Sequence, residues 1–296
     1  MELCHLPTVR KYLELASGRA CDCTAGGTFI WREFFETAFA VWDDTLVMRV
    51  RLRDAEGDSR IVYSVPIGAN VKGALDELYR ERTACDETLE FYVHDIADVE
   101  RLRERFEIEV TPLRDNFDYV YDVAALSTVA GKKFSGQRNH INFFERSNPD
   151  WYYEPLTEEN TAVAEAFFGD FIKHRGKPIE QMHSEDKKVY EVLRNYREYG
   201  LFGGILYAAP DRPVAFSIGD RRGDTLYVHI EKADVRVRGA YPMVVREFVR
   251  HYADDGVLYV NREDDAGDPG LRTAKLSWHP VFMCEKFHVR VIRPRA

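Results

Sequence analysis

A mixed α/β fold in two similar domains is what this sequence predicts, and three observations predict it. The order hairpin, strand, helix, strand, helix, strand can be traced through the first half of the chain and again through the second. Apolar residues alternate at period two in short runs and recur at helical spacing in the runs between them. At 296 residues, with 45% hydrophobic and 31% charged residues, the chain can bury two ordinary cores.

In the first half, Thr37 to Leu52 alternates around Asp43-Asp44, as a hairpin should. Arg60 to Ile67 reads as a third strand. Asn70 to Arg82 carries Val71, Leu75 and Leu78 at helical spacing, with Asn70 placed to cap. Thr88 to His94 reads as a strand, Asp95 to Phe106 as a helix, and Ile108 to Val123 as one or two strands.

The second half opens with helices near Glu158 to His174 and Ser184 to Tyr199. A hairpin turning at Pro210-Asp211 follows, then a strand at Thr225 to Ala233 and a helix at Tyr241 to Ala253. Strand Val257 to Asn261, helix Pro269 to Ser277 and a last strand Val281 to Ile292 complete the order. Domains are therefore expected at 1–145 and 150–296, the second carrying the site. Ala130 to Leu156 is the expected joint. Ile141 and Phe144 would dock a short helix there, and Lys132, Lys133, Arg138 and Arg146 would either face water or meet an anion.

A net charge of −9 argues against tight, sequence-independent nucleic-acid binding, which depends on phosphate neutralisation. No apolar run reaches membrane-spanning length, and the N-terminus lacks the layout of a secretory signal. Contact with a membrane surface stays open. Cys4, Cys21, Cys23, Cys85 and Cys284 show no framework spacing, so reduced thiols and a cytoplasmic setting are expected. Cys21 and Cys23, with Cys4 and His5 upstream, have too short a spacing for structural zinc, and no metal is expected.

Along Thr225 to Glu231, Leu226, Val228 and Ile230 point one way, and Tyr227, His229 and Glu231 the other. The second set suits a solvated sheet face or a proton-transfer site. A helical crossover to Val257–Asn261 implies that the two strands run parallel. Ligands gather beyond the C-terminal ends of such strands. Glu231 would lie at one such end, and Asn261, Arg262, Glu263, Asp264 and Asp265 at the other. Between them, Arg236, Arg238, Gly239, Ala240 and Tyr241 form a turn into a helix start, where backbone N–H groups could hold an anion. No nucleophile motif is present, which favours direct transfer assisted by acid–base groups over covalent catalysis.

Three stretches carry a resemblance: YVYDVAALSTVAGKKFSGQRNHINFF, DTLYVHIEKADVRVRGAYPMVVREF and YVNREDDAGDPGLRTAKLSWHPVF. They resemble uncharacterised bacterial proteins related to the C-terminal domain of phosphatidylglycerol lysyltransferase. The resemblance implies two tandem GNAT-like domains, as in the aminoacyltransferases that build peptidoglycan cross-bridges. It also implies a cleft where an aminoacyl-tRNA end meets an acceptor. Two departures stand out. The membrane-embedded half of the lysyltransferase has no counterpart here, and Tyr241 stands where the coenzyme A motif ends in a small residue.

The resulting expectation is an acyl- or aminoacyltransferase with acyl-CoA or aminoacyl-tRNA as donor and a small-molecule amine or hydroxyl as acceptor. A non-catalytic ligand-binding module is the rival. Glu231 or His229 would be the general base, Tyr227 or Tyr241 a proton donor, and Arg238 to Tyr241 the anion or donor contact. Arg262, Glu263, Asp264, Asn261 and Lys275 would position substrate, with Lys132, Arg138 and Asn139 closing over them. For tRNA, Arg221 to Arg250 offers seven Lys/Arg against four Asp/Glu.

Overall fold

The computed structural model describes residues 1–53, 59–174 and 184–295. Two compact units emerge. The first comprises Met1–Asp118, Asp264–Asp268 and Met283–Ala296, and the second Tyr119–Glu263 and Pro269–Phe282. The division thus falls at Asp118/Tyr119, not between 145 and 150. The last strand of the chain also returns to the first unit.

The first unit begins with helices α1 (Leu6–Leu13) and α2 (Ala25–Ile30), which the sequence reading did not foresee. The hairpin β1 (Ala38–Trp42) and β2 (Thr45–Arg53) turns at Asp43 and Asp44, both at positive φ, a backbone form that Asp tolerates. Strands β3 (Ser59–Tyr63) and β4 (Ile67–Gly68) lead to α3 (Val71–Ala84), capped by the Asn70 side chain, which accepts from Gly73 N at 2.9 Å. Then come β5 (Glu90–Val93), α4 (Ile96–Arg105) and β6 (Phe106–Pro112).

The second unit carries β7 (Asp118–Asp122), a short α5 (Val123–Thr128) and α6 (Ser135–Ser147), whose Ile141 and Phe144 are buried as expected. This segment lies inside the second unit, so it is not a joint. Strand β8 (Tyr152–Pro155) and helices α7 (Thr161–His174) and α8 (Ser184–Asn195) precede the hairpin β9 (Phe202–Ala209) and β10 (Arg212–Arg222). After them come β11 (Thr225–Ala233), α9 (Ala240–Tyr252), β12 (Tyr259–Asn261), α10 (Pro269–Leu276) and β13 (Phe282–Cys284). The final strand, β14 (Phe287–Pro294), closes the chain.

Among the described residues there are two seven-stranded sheets. One runs β1-β2-β3-β5-β14-β6 with β4 beside β2; the other runs β13-β7-β12-β11-β10-β9-β8. In the first, β14 lies antiparallel between β5 and β6, placing Phe287, Val289 and Val291 in one core with Leu75, Phe91 and Leu102. In the second, β11 and β12 run parallel, as the crossover helix α9 requires. Both faces of β11 are covered from Thr225 to Ile230, which removes the solvated sheet face as one of the two readings of this strand.

Candidate active site

The β11–β12 pairing is short. It covers Thr225, Leu226 and Tyr227 opposite Tyr259, Val260 and Asn261, after which β11 runs on to Ala233 paired with β10. On its other side, β11 carries a bulge. Val228 pairs with Gly219 and Ile230 with Ile218, so His229 is the extra residue. A Cβ at Gly219 would sit 1.8 Å from the Tyr227 carbonyl, so the two backbones come together only because that residue is glycine.

Beyond the last β12 pair, two side-chain pairs link the strand ends. His229 Nδ1 lies 2.7 Å from Glu263 Oε1, and its Nε2 lies 3.2 Å from Asp220 Oδ1. Arg262 Nη2 donates to Glu231 Oε1 at 2.8 Å. Glu263 reaches His229 from a left-handed backbone (φ 58), fixed by its N–H donating to Asn261 Oδ1 at 2.7 Å. Arg262 lies between the rings of Tyr121 (5.7 Å) and Trp278 (5.6 Å), and Tyr241 is close enough to bear on its charge. Its Nη1 is buried with no hydrogen-bond partner.

These contacts correct several expectations. Burial by itself would discharge His229, but the Asp220 and Glu263 carboxylates outweigh it and raise its pKa to about 10. His229 is therefore an imidazolium near neutral pH and cannot be the general base. Tyr227 is fully buried, its ring roughly parallel to that of His229, and so is sealed from any leaving group. Glu231 is half-buried and bound to Arg262. Of the three residues it is the most exposed.

The turn before α9 differs in the same way. Gly239 (φ 90) is a glycine because a Cβ there would lie 2.3 Å from the His140 carbonyl of α6. The glycine is therefore accounted for by its close approach to α6. Arg236 is held by Asp234 at 2.8 Å, while Arg238 stacks on Phe143 at 4.5 Å. Ala240 is buried, and Tyr241 is half-buried at the helix start.

Three further residues hold loops. Lys275 Nζ donates to the Arg262 carbonyl at 2.7 Å, and Arg138 Nη1 to the Val129 and Gly131 carbonyls at 2.7 and 2.8 Å. Asp264, in the first unit, accepts from Ala266 N at 3.0 Å. Lys132 and Asn139 are exposed. The proposed basic strip is largely spent internally: Arg221 pairs with Asp254, Arg246 with Glu145 at 2.7 Å, and Arg250 with Glu247 at 3.2 Å. Missed by the sequence reading were Asp220, Tyr121 and Trp278. Only a correct register for β10 and β7 could have brought Asp220 and Tyr121 here, and Trp278 arrives from the end of α10.

A profile described as "Phosphatidylglycerol lysyltransferase, C-terminal" matches residues 17–290. The chain belongs to this family. A conserved protein of unknown function from Bacteroides thetaiotaomicron is 31% identical, with 98% of each chain covered and a TM-score of 0.85. The L-PGS of Bacillus licheniformis shares the fold at 15% identity, with a TM-score of 0.65 over 98% of this chain and 92% of that one. An uncharacterised protein of Mycoplasmoides gallisepticum is 21% identical over 226 residues, 75% of this chain and 70% of its own length. The phosphatidylglycerol lysyltransferase C-terminal family carries two GNAT-like domains with mixed sheets, and this chain has that fold. Family and fold together indicate acyl transfer of the aminoacyltransferase type. Among the described residues, no helix is long and apolar enough to cross a membrane.

Proposed function

We propose that the protein transfers an aminoacyl group from an activated ester, an aminoacyl-tRNA, to an amine or hydroxyl acceptor in its second unit. The observation that carries this reading is the buried, unpartnered Nη1 of Arg262 beside Glu231. A guanidinium fixed between two rings, with one N–H unused, is a preorganised donor for a carbonyl oxygen that becomes an oxyanion. In the reaction, the acceptor's N or O attacks the ester carbonyl and the bond to the ribose oxygen breaks. Glu231 takes the acceptor's proton and returns it to the ribose oxygen as that oxygen leaves. His229 stays charged and holds Glu263, keeping the chain after β12 folded back onto β11.

Aminoacyl-tRNA is favoured over coenzyme A by the turn at Gly239. A Cβ at Gly239 would meet the His140 carbonyl of α6, so packing accounts for this glycine, and Tyr241 follows where the coenzyme A motif ends in a small residue. The deciding experiment incubates the full chain separately with a pool of charged tRNAs and a pool of acyl-CoAs, each with mixed amine and hydroxyl acceptors. Label should pass from the tRNA pool, and Arg262→Gln should lower the transfer by roughly 10²–10³-fold. Efficient transfer from acyl-CoA, unaffected by Arg262→Gln, would overturn both donor and site.

A further inference from the structure

Helix α6 and the turn before it carry positive charge that neither the core nor the transfer chemistry uses. From Gly131 to Asn148 the chain has four cations, Lys132, Lys133, Arg138 and Arg146, against one acid, Glu145. That acid is already taken, since Arg246 holds Glu145 at 2.7 Å. Lys132, Lys133 and Arg146 are exposed, and among the described residues none of the three meets a carboxylate. Arg138 donates to backbone carbonyls, which leave its charge unmatched. In a chain of net charge −9, this concentration is a local feature and not a property of the whole surface.

The helix turns Ile141 and Phe144 into the core. Its opposite side, at helical spacing, presents Asn139, Asn142, Phe143 and Arg146. Phe143 stays 37% exposed, with the Arg238 guanidinium 4.5 Å from its ring centre. Arg238 is itself exposed and donates to His140 Nδ1 at 3.4 Å. An exposed ring set among cations and amides is the composition of a track for single-stranded nucleic acid. Cations neutralise phosphates there, and the ring stacks a base. At 13 residues, α6 gives the strip a length of about 20 Å.

Contacts at the start of α6 set where the strip leads. Gln137 Nε2 donates to the Ser277 carbonyl at 2.7 Å, and His279 Nε2 to the Lys133 carbonyl at 3.0 Å. Ser277 and His279 flank Trp278, one of the two rings that hold Arg262. Arg238 stands three positions ahead of Tyr241, which bears on the Arg262 charge. The strip therefore ends beside the guanidinium assigned to the ester carbonyl.

We propose that the outer face of α6 binds the single-stranded 3′ end of the donor RNA, with phosphates on Lys132, Lys133 and Arg146 and a base stacked on Phe143 beside Arg238. This rests on the transfer reading and adds to it the course of the RNA. An anionic membrane surface fits less well, because a helix lying on a membrane needs its apolar side outward, and α6 turns that side inward.

The test measures binding of uncharged, unfractionated tRNA to the full chain between about 50 and 200 mM salt. Three phosphate contacts on a single strand predict a slope of log K against log salt of about −2, or roughly 20-fold over that range. Lys132→Gln combined with Arg146→Gln removes two of these contacts and should flatten the slope to about −0.7. Phe143→Ala should weaken binding about tenfold at every salt concentration and leave the slope as it is. These side chains are exposed, so the variants keep the fold. Lys72→Gln, a charge change on α3 of the first unit, should alter neither quantity. An unchanged slope in the double variant, an equal loss in Lys72→Gln, or competition by vesicles of equal parts phosphatidylglycerol and phosphatidylcholine would each overturn the proposal. The two readings fail differently. Binding by this face with no transfer faults the transfer reading, whereas transfer lowered by Arg262→Gln but indifferent to the α6 variants faults this one.

Discussion

His229 Nδ1 lies 2.7 Å from Glu263 Oε1, although the two residues are 34 positions apart. The contact depends on the bulge that makes His229 the extra residue of β11 and on the left-handed backbone of Glu263. Both are costly local conformations, and an ion pair between a buried imidazole and a half-buried carboxylate is a physical reason for them to persist.

A pH dependence of stability follows from this pair. The His229 pKa is about 10 in the folded protein and near the ordinary 6.5 when unfolded. A raised folded pKa gives stability that is fully present below about 6.5 and lost as pH rises toward about 10. Urea denaturation at pH 6, 8 and 10 should therefore show a decline on the order of 1–3 kcal/mol across that window. His229→Gln should be less stable at pH 6 and should lose this part of the slope. An imidazole resonance titrating near 6.5 in the native protein would contradict the pairing.

Arg262 and Glu231 divide the chemistry differently. Arg262→Gln removes the oxyanion donor and should lower transfer by roughly 10²–10³-fold, mostly in kcat. Glu231→Gln keeps the shape, removes the base, and should cost roughly 10²–10⁴-fold with donor binding largely intact. Single-turnover transfer, with donor affinity measured separately, distinguishes the two. Wild-type turnover in both variants would return the pair to a purely structural role.

How much of this was legible beforehand depended on sequence distance. The hairpin turn at Asp43-Asp44, the cap at Asn70, and the parallel crossover from Thr225–Ala233 to Asn261 are local patterns, and they could be read directly. The alternation Tyr227, His229, Glu231 is interrupted by the bulge at His229. Its meaning was not readable, because Tyr227 is sealed and His229 is charged by Asp220, which lies on a neighbouring strand. Strand β14 pairs with residues about 180–200 positions earlier, and period-two alternation carries no information about such partners. The cluster of Cys21 and Lys286 was invisible for the same reason.

Gly239 offers a test of the turn. Alanine there must hold φ near 90 and place its Cβ 2.3 Å from the His140 carbonyl and 2.9 Å from Phe144 Cβ. Destabilisation of roughly 2–4 kcal/mol is expected, read as a lower denaturation midpoint. If the glycine served an anion instead of α6, Gly239→Ala would leave stability nearly unchanged and lower donor affinity.

Lys286→Met probes the buried cluster of the first unit. Methionine matches the length of the side chain but leaves Asp22 and Asp118 without their shared cation. Removing one partner of such a group costs roughly 3–5 kcal/mol at pH 7, because the remaining charges stay buried. The signs of the pH response then separate the two proteins. In the wild type, Asp22 is held below its ordinary pKa, so the stability it contributes is lost as pH falls through that low value. In the variant, burial is no longer offset by the ammonium and pushes the Asp22 carboxyl above its ordinary value. The variant should therefore gain stability as pH falls from 7 toward 5, while the wild type holds level. Adding Asp118→Asn to Lys286→Met removes one of the two charges and should recover part of the loss. Denaturation midpoints at pH 5 and 7 for the three proteins decide the matter. Equal pH slopes in Lys286→Met and wild type would show that the ammonium does not hold the two carboxylates together.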